Sequence, residues 1–293
     1  MHKIIVITGP TAVGKTKLSI ELAKKYDGEI INADAVQVSK GFDIGSAKVT
    51  EEEKEGIPHH LLDFKEVTEE YTIYHYQKDC REKIKDIQSR NKTPILVGGT
   101  GLYIKAALYD YKLSEEKSTN TYDNLTNEEL YEELKKLDKD IIIDKDNRRR
   151  LIRAINYYKE NNESINKNKT NKLLYNVIFI GLTTDRQVLY DKINKRVDEM
   201  ISQGLLEEVK SFYDKGIKSK PLLNAIGYRE LYNYLDGNGT KEEKNEKIKQ
   251  NSRHYAKRQY TFFNHQLPVV WFETDYNNFN NTIEKVASYI DSN

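Results

Sequence analysis

Residues 9–16 read Gly9-Pro10-Thr11-Ala12-Val13-Gly14-Lys15-Thr16. They follow residues 3–8, a β-branched apolar run with the pattern of a buried strand. They precede residues 17–25, where Leu18 and Leu22 stand at helical spacing. A Gly-x-x-x-x-Gly-Lys-Thr stretch between a strand and a helix is a phosphate loop. Its glycines let the backbone curl so that N–H groups point inward, and the following helix adds positive potential. Lys15 is placed to reach outer phosphate oxygens, and Thr16 to offer its hydroxyl to magnesium. The loop requires an anionic phosphate ligand. It leaves open whether that ligand is a nucleotide such as ATP or a bare diphosphate.

Outward from this loop, strands and helices alternate. Residues 29–32 form a second short strand that runs out at Asp34, 74–90 an amphipathic helix, and 94–97 a third buried strand closed by Gly98-Gly99-Thr100-Gly101. Residues 102–108 have a helical pattern. This alternation predicts an α/β fold, a P-loop NTPase-like parallel sheet flanked by helices. The middle of the chain differs. Residues 114–124 are polar and loop-like, 126–137 a charged helix with Thr126 and Glu129 spaced for a capping box, 147–158 a basic helix, and 161–171 an Asn/Lys-rich connector. We read 115–165 as a small helical insertion into a core made of 1–114 and 166–293. The sheet resumes at 177–182; helices are expected at 186–203, 205–215 and 241–264, and a last strand at 269–272.

Bulk properties narrow the function. The 293 residues carry 47 Lys and Arg against 46 Asp and Glu, a net charge of +1. Any nucleic-acid contact must therefore come from local basic patches and not from an overall positive field. Two patches qualify: Arg148, Arg149, Arg150 and Arg153 on one expected helix, and Lys249, Arg253, Lys257 and Arg258 on another. Each also fits a solvated helix face. Cys80 is the single cysteine, so neither an internal disulfide nor a Cys-rich zinc site is available, and a structural thiol in a reducing compartment is expected. The first apolar run is about five residues, too short for a signal segment, and no stretch approaches the roughly 20 needed to span a bilayer. A cytoplasmic protein with no membrane association is expected.

Strand ends locate the candidate chemistry, because the carboxyl ends of parallel strands face the ligand crevice. Asp34 lies just past the second strand, where a carboxylate can act as a base or ligate magnesium; a turn or helix cap is the alternative. Gln37 follows with hydrogen-bonding capacity for a base edge. Thr100 presents a hydroxyl past the third strand, or caps the helix that follows. That strand ends Ile95-Leu96-Val97-Gly98. The Asp that holds magnesium in most P-loop phosphotransferases is absent there, which counts against phosphoryl transfer.

Taken together, these blocks resemble the bacterial tRNA dimethylallyltransferases of the IPP transferase family. Besides the phosphate loop, the resemblance rests on Gly41-Phe42-Asp43-Ile44-Gly45-Ser46-Ala47-Lys48, Pro58-His59-His60-Leu61-Leu62-Asp63, Gly98 through Tyr103, Arg196-Val197-Asp198-Glu199-Met200, Gly227-Tyr228-Arg229-Glu230 and Ala256-Lys257-Arg258-Gln259. They span nearly the whole chain. Where the family has Asp-Ser-x-Gln-x-Tyr, this chain has Asp34-Ala35-Val36-Gln37-Val38-Ser39, so the Ser and Tyr are missing while Asp34 and Gln37 remain. The insertion is shorter than the family's.

The resemblance implies transfer of a dimethylallyl group from its diphosphate to the N6 amine of the adenine 3′ of the anticodon in tRNA, with diphosphate released. It implies Mg2+ on Thr16, the donor diphosphate on residues 9–16, and catalysis by Asp34, Thr100, Lys15 and Arg229. Asp34, Ala35, Val36, Gln37 and Thr100 would meet the target base. Arg149, Arg150, Arg153, Arg253, Lys257 and Arg258 would meet the anticodon stem-loop. A monomer is expected. Tyr157 and Tyr255 are either stacking platforms for loop bases or packing residues. Three other readings remain at this stage: a small-molecule P-loop kinase with the arginine cluster as a lid, an adenylate isopentenyltransferase acting on free nucleotide, and a non-catalytic RNA-binding protein.

Overall fold

The computed structural model describes residues 3–111, 113, 122–166 and 171–293. The chain divides into two compact units, Met1–Leu108 with Tyr175–Asn293, and Tyr109–Leu174. The expected loop and connector at 114–121 and 167–170, and with them the boundary at residue 115, lie outside the described residues.

The larger unit is built on a parallel sheet of β1 (Ile4–Thr8), β2 (Gly28–Asn32), β3 (His59–His60), β4 (Thr93–Val97), β5 (Val177–Thr183) and β6 (Val270–Glu273), ordered β3-β2-β4-β1-β5-β6. β1 is central because every residue in it is buried. Ile5 and Ile7, with Ile30, Ile95 and Ile180 of neighbouring strands, face Leu18 and Leu22 of α1 (Lys15–Lys25) and Val286 and Ile290 of α12 (Phe279–Ser292). Ile4 and Val6 point to the opposite face by the two-residue alternation of a strand and are equally buried. Sheets covered on both faces are the usual setting of parallel strands. α3 (Ile73–Ser89) and α4 (Gly101–Leu108) pack together through Tyr76 stacked on Tyr103, with ring centroids 4.0 Å apart. Cys80 is buried beneath them and burial pushes its thiol up to about 12, so it serves as a packing residue.

A second apolar cluster joins α7 (Arg186–Ser202), α8 (Leu205–Tyr213), α10 (Tyr228–Leu235) and α11 (Lys241–Gln266) through Val197, Leu205, Val209, Leu231 and Ile248, with Phe42. α11 serves both clusters, giving Ile248 to this one and Ala256 to the sheet core. Short α2 (Glu51–Lys54) and α9 (Lys220–Asn224) complete the unit. Among the described residues, no helix is long and apolar enough to cross a membrane. The smaller unit packs α5 (Asn127–Leu137) on α6 (Arg148–Asn161) around Leu130, Leu134, Leu151 and Ile155. Its capping box is formed as the sequence predicts, with Glu129 N–H donating to Thr126 Oγ1 and the Glu129 carboxylate accepting from Thr126 N–H at 2.7 Å.

The sheet ends bring the candidate loops together. Ala33 N–H donates to Val97 O (2.8 Å) and Thr100 N–H to Ala33 O (3.0 Å). This stitch requires glycine at 98, since a Cβ there would collide with the Ala33 backbone. The edge strand β3 is clasped by charge. Glu29, whose side chain is 4% exposed, accepts from both terminal nitrogens of Arg90 and pairs with His60 Nε2 at 2.7 Å. The Arg90 guanidinium first, helped by His60 and opposed by burial, holds this carboxyl down to about 2 from an ordinary 4.5. A depressed carboxyl pKa stabilises the fold above the unfolded-state value, and the stabilisation is lost as pH falls toward the folded-state value. Glu29→Gln should therefore cost roughly 2–3 kcal/mol at neutral pH. Denaturant midpoints of the two proteins should converge as pH drops below 4.5. A gap independent of pH would show that the clasp is not electrostatic.

Candidate active site

A cavity of about 580 Å3 opens at the carboxyl edge of the sheet, lined by the loops after β1, β2 and β4 and by α7, α10 and α11. Its polar end is the phosphate loop. Gly14 adopts φ +95°, and a Cβ there would sit 2.7 Å from the Phe279 ring, so only glycine closes this turn onto α1. α1 begins at Lys15, so its first amides have no partner within the helix and are aimed at an anion. Lys15 Nζ donates to Gly9 O (3.0 Å) and Pro10 O (2.6 Å). Burial, and then the Arg196 guanidinium, push its ammonium down to about 7, against the opposing pull of Asp34. Arg196 reaches over from α7 to donate to Thr11 Oγ1 (3.1 Å), and burial lowers its own pKa while Asp34 raises it. Two mutually repelling cations with one carboxylate nearby form a site that gains from a multiply charged anion.

Asp34 is held by its backbone and by one oxygen. Its N–H donates to Asn32 Oδ1 (3.1 Å), and its Oδ1 accepts from Val36 N–H (2.9 Å). Among the described residues, no hydrogen bond engages Oδ2. The Thr100 hydroxyl accepts from Ala35 N–H (3.0 Å), tying the β4 loop to the β2 loop. The Tyr255 phenol lines the cavity with Thr100 and Gln259, and burial together with Asp34 pushes its pKa well up, so it stays protonated. Gln259 is buried; it accepts from Thr11 N–H (3.3 Å) and donates to Gly99 O (3.1 Å). Gln37 spends its Nε2 on the carbonyls of Ser46 (3.1 Å) and Ala47 (3.3 Å), which leaves Oε1 as its acceptor. Arg229 rests on Glu230 at 2.7 Å, and Glu230 also accepts from Gly227 N–H and Asn251. The apolar wall belongs to the second cluster: Val197, Met200, Leu205, Ile226 and Ile248.

The cavity thus gathers Thr11, Ala12, Gly14, Lys15, Thr16, Asp34, Ala35, Val36, Gln37, Thr100, Arg229 and Arg258 from among the residues singled out in the sequence. Gly9, Pro10 and Val13 shape the loop behind it. Ser39 is buried and bridges to Lys65 without lining the cavity. Lys257 is exposed on α11. Arg253 donates to Asn194 Oδ1 (2.5 Å), and Lys249 pairs with Asp198 and Glu246. Arg149, Arg150 and Arg153 lie on α6 of the smaller unit, as does Tyr157, which bonds Glu163 (3.3 Å). Sequence reasoning gave no role to Arg196 or Gln259. Both stood inside quoted blocks, but their reach to Thr11 is visible only in the fold.

For a metal, no cluster of three or more His, Cys, Asp or Glu suited to hold an ion occurs among the described residues. Thr16, on the exposed first turn of α1, offers a hard hydroxyl oxygen beside the phosphate loop. This donor set fits magnesium in its usual manner, with few protein ligands and the rest from phosphate and water.

The family model for IPP transferase matches residues 37–266. The tRNA dimethylallyltransferase of Anoxybacillus flavithermus is 49% identical over 300 residues, covering 99% of this chain and 96% of that protein. That of Geobacillus thermodenitrificans is 48% identical with the same coverage. The crystal structure of tRNA delta(2)-isopentenylpyrophosphate transferase from Staphylococcus epidermidis superposes with a TM-score of 0.77 at 40% identity, covering 100% of this chain and 99% of that one. A eukaryotic dimethylallyltransferase acting on tRNA gives a TM-score of 0.89 at 28% identity, over 100% of this chain and 79% of its own. With the family model matched over most of its length and relatives nearly half identical throughout, this chain belongs to the IPP transferase family.

Proposed function

We propose that this chain transfers the dimethylallyl group of dimethylallyl diphosphate to the N6 amine of the adenine 3′ of the anticodon in tRNA, releasing diphosphate. The observation that carries the reading is one cavity holding a phosphate loop with two half-buried cations, an apolar wall, and a carboxylate with one oxygen uncommitted. β4 ends without the Asp that holds magnesium in most P-loop phosphotransferases, which counts against phosphoryl transfer.

In this mechanism the diphosphate lies on residues 9–16 and the prenyl tail against Val197, Met200, Leu205 and Ile248. As the allylic C–O bond breaks, negative charge gathers on the leaving diphosphate. Lys15, Arg196, the loop amides and Arg229 are set to stabilise it. Thr16 would hold magnesium, which would supply further positive charge there. The adenine amine is a weak nucleophile because its lone pair is delocalised into the ring. Asp34 Oδ2 accepts its proton as the C–N bond forms. Thr100, whose oxygen is already an acceptor for Ala35 N–H, has its own hydrogen to donate. Gln37 Oε1 takes the amine's second N–H. The base must leave its stack to enter. Lys257 and Arg258, with Arg253 beside them, and Arg149, Arg150 and Arg153 on α6 contact stem-loop phosphates. A tRNA acceptor suits work in the cytoplasm.

Incubation with labelled dimethylallyl diphosphate, magnesium and an anticodon stem-loop should yield prenylated adenosine. Absence of that product with a competent stem-loop would remove the assignment. Asp34→Asn should still bind donor and RNA, yet single-turnover transfer should fall by roughly 10²–10⁴ and stay low when magnesium is raised. Recovery with magnesium would make Asp34 a metal ligand instead of the base.

Lys15 gives a second test. With its pKa near 7, it is mostly neutral at about pH 8.5, and the donor's charge should drive it back toward 10.5. Donor binding at that pH should take up roughly one proton, read by calorimetry in buffers of different ionisation enthalpy. Lys15→Met should abolish the uptake. Proton-neutral binding by the wild-type protein would contradict the assignment.

A further inference from the structure

Glu208, on α8, does not line the cavity, yet its carboxylate accepts four hydrogen bonds near it. One oxygen accepts from Asp43 N–H (3.1 Å) and Ile44 N–H (2.8 Å). The other accepts from Gly45 N–H (3.1 Å) and from the Tyr228 hydroxyl in a short bond. Three successive amides turned toward one carboxylate make a backbone nest, here filled by the protein's own anion. Burial and the Glu208 charge push the Tyr228 phenol far above its ordinary range, so it remains the donor.

Tyr228 stacks on Phe42 with centroids 4.2 Å apart, and immediately precedes Arg229 on α10. Gly45 is obligatory beside it, because a Cβ there would sit 2.5 Å from the Tyr228 ring. Beyond Gly45, the carbonyls of Ser46 and Ala47 hold the Gln37 amide. Gly45, Ser46, Ala47 and Gln37 all face the cavity. An unbroken run of hydrogen bonds and backbone thus leads from Tyr228 through Glu208 and residues 43–47 to Gln37. Lys48 anchors the same loop from its other side, on Ser39 O (3.0 Å), Asp43 (2.7 Å) and Asp63.

We infer that Glu208 is a positioning residue for the acceptor: by clamping residues 43–45 it sets the loop that orients the Gln37 carboxamide toward the target base. This rests on the reading of Gln37 as a contact to the adenine amine. Only a carboxylate satisfies the whole cluster. A glutamine must turn its NH2 toward one pair of donors. Facing Tyr228 costs least, since a hydroxyl can reverse, but Gly45 N–H is then left without an acceptor. The loop should shift at Gly45, next to the carbonyls that hold Gln37, while the phosphate loop is untouched.

The test is a double-mutant cycle between Glu208→Gln and Gln37→Ala, read as kcat and KM for an anticodon stem-loop and as donor Kd by calorimetry. Glu208→Gln should raise the stem-loop KM about tenfold, the worth of a hydrogen bond to a charged group, and change donor Kd less than about twofold. In the Gln37→Ala background the same change should have almost no further effect. Full additivity would overturn the inference, as would equal losses for donor and acceptor. If Gln37→Ala raises the stem-loop KM and Glu208→Gln does not, the inference alone fails. If Gln37→Ala changes nothing, the acceptor reading of Gln37 falls and this inference with it. Should Glu208→Gln not fold, Tyr228→Phe keeps the stack and the three amide bonds. It should shift the KM in the same direction by roughly two- to fivefold, and again only when Gln37 is present.

Discussion

The buried Gln259 carboxamide is the tie on which the site depends. It accepts from the phosphate loop at Thr11 and donates to the β4 loop at Gly99, and it belongs to α11, which reaches into both apolar clusters. Gly99 must be glycine for this contact, because a Cβ would fall on the Gln259 amide nitrogen. A buried amide satisfied at both ends favours one arrangement strongly, since breaking either bond strands a polar group. The helix that carries Arg258 and Lys257 is thereby fixed to the phosphate loop that leads into Lys15. The phosphate loop and the basic face of α11 are two ends of one connection.

Electrostatics then divides the cavity. Lys15 and Arg196 repel one another, and Asp34 offsets both. An arriving diphosphate relieves the repulsion, while a neutral ligand does not. The apolar wall comes from helices far along the chain, which is why the cavity suits an amphiphilic donor with a charged head and a short hydrocarbon tail. In this account the loop supplies the charge that binds a leaving group, and it does not hold a phosphate for attack.

Much of this was legible in the sequence where the signal is local. The phosphate loop, the parallel strands and the Thr126 capping box depend on neighbours within a few residues, and patterns of that range can be read directly. What the sequence concealed was tertiary. Arg196 and Gln259 meet Thr11 across 185 and 248 residues, and no spacing rule joins them. The eight-residue α10, bearing Arg229, escaped the reading because it is brief, and α12, whose Phe279 packs on Gly14, was missed although its helical pattern is clear. The missing Ser after Asp34 matters less than the motif implied. Ala35 bonds Thr100 through its backbone N–H, which any residue but proline provides. His60, within a block carrying the family resemblance, is engaged by Glu29 at the sheet edge.

The central claim is that this phosphate loop serves carbon transfer by cleavage between carbon and oxygen. Dimethylallyl diphosphate with heavy oxygen in the bridging position between C1 and phosphorus tests it most directly. After turnover with the anticodon stem-loop, mass spectrometry of the released diphosphate should find the heavy oxygen retained in full. Diphosphate or phosphate free of the label, with the heavy oxygen left on the prenyl product, would show cleavage between phosphorus and oxygen and contradict the account.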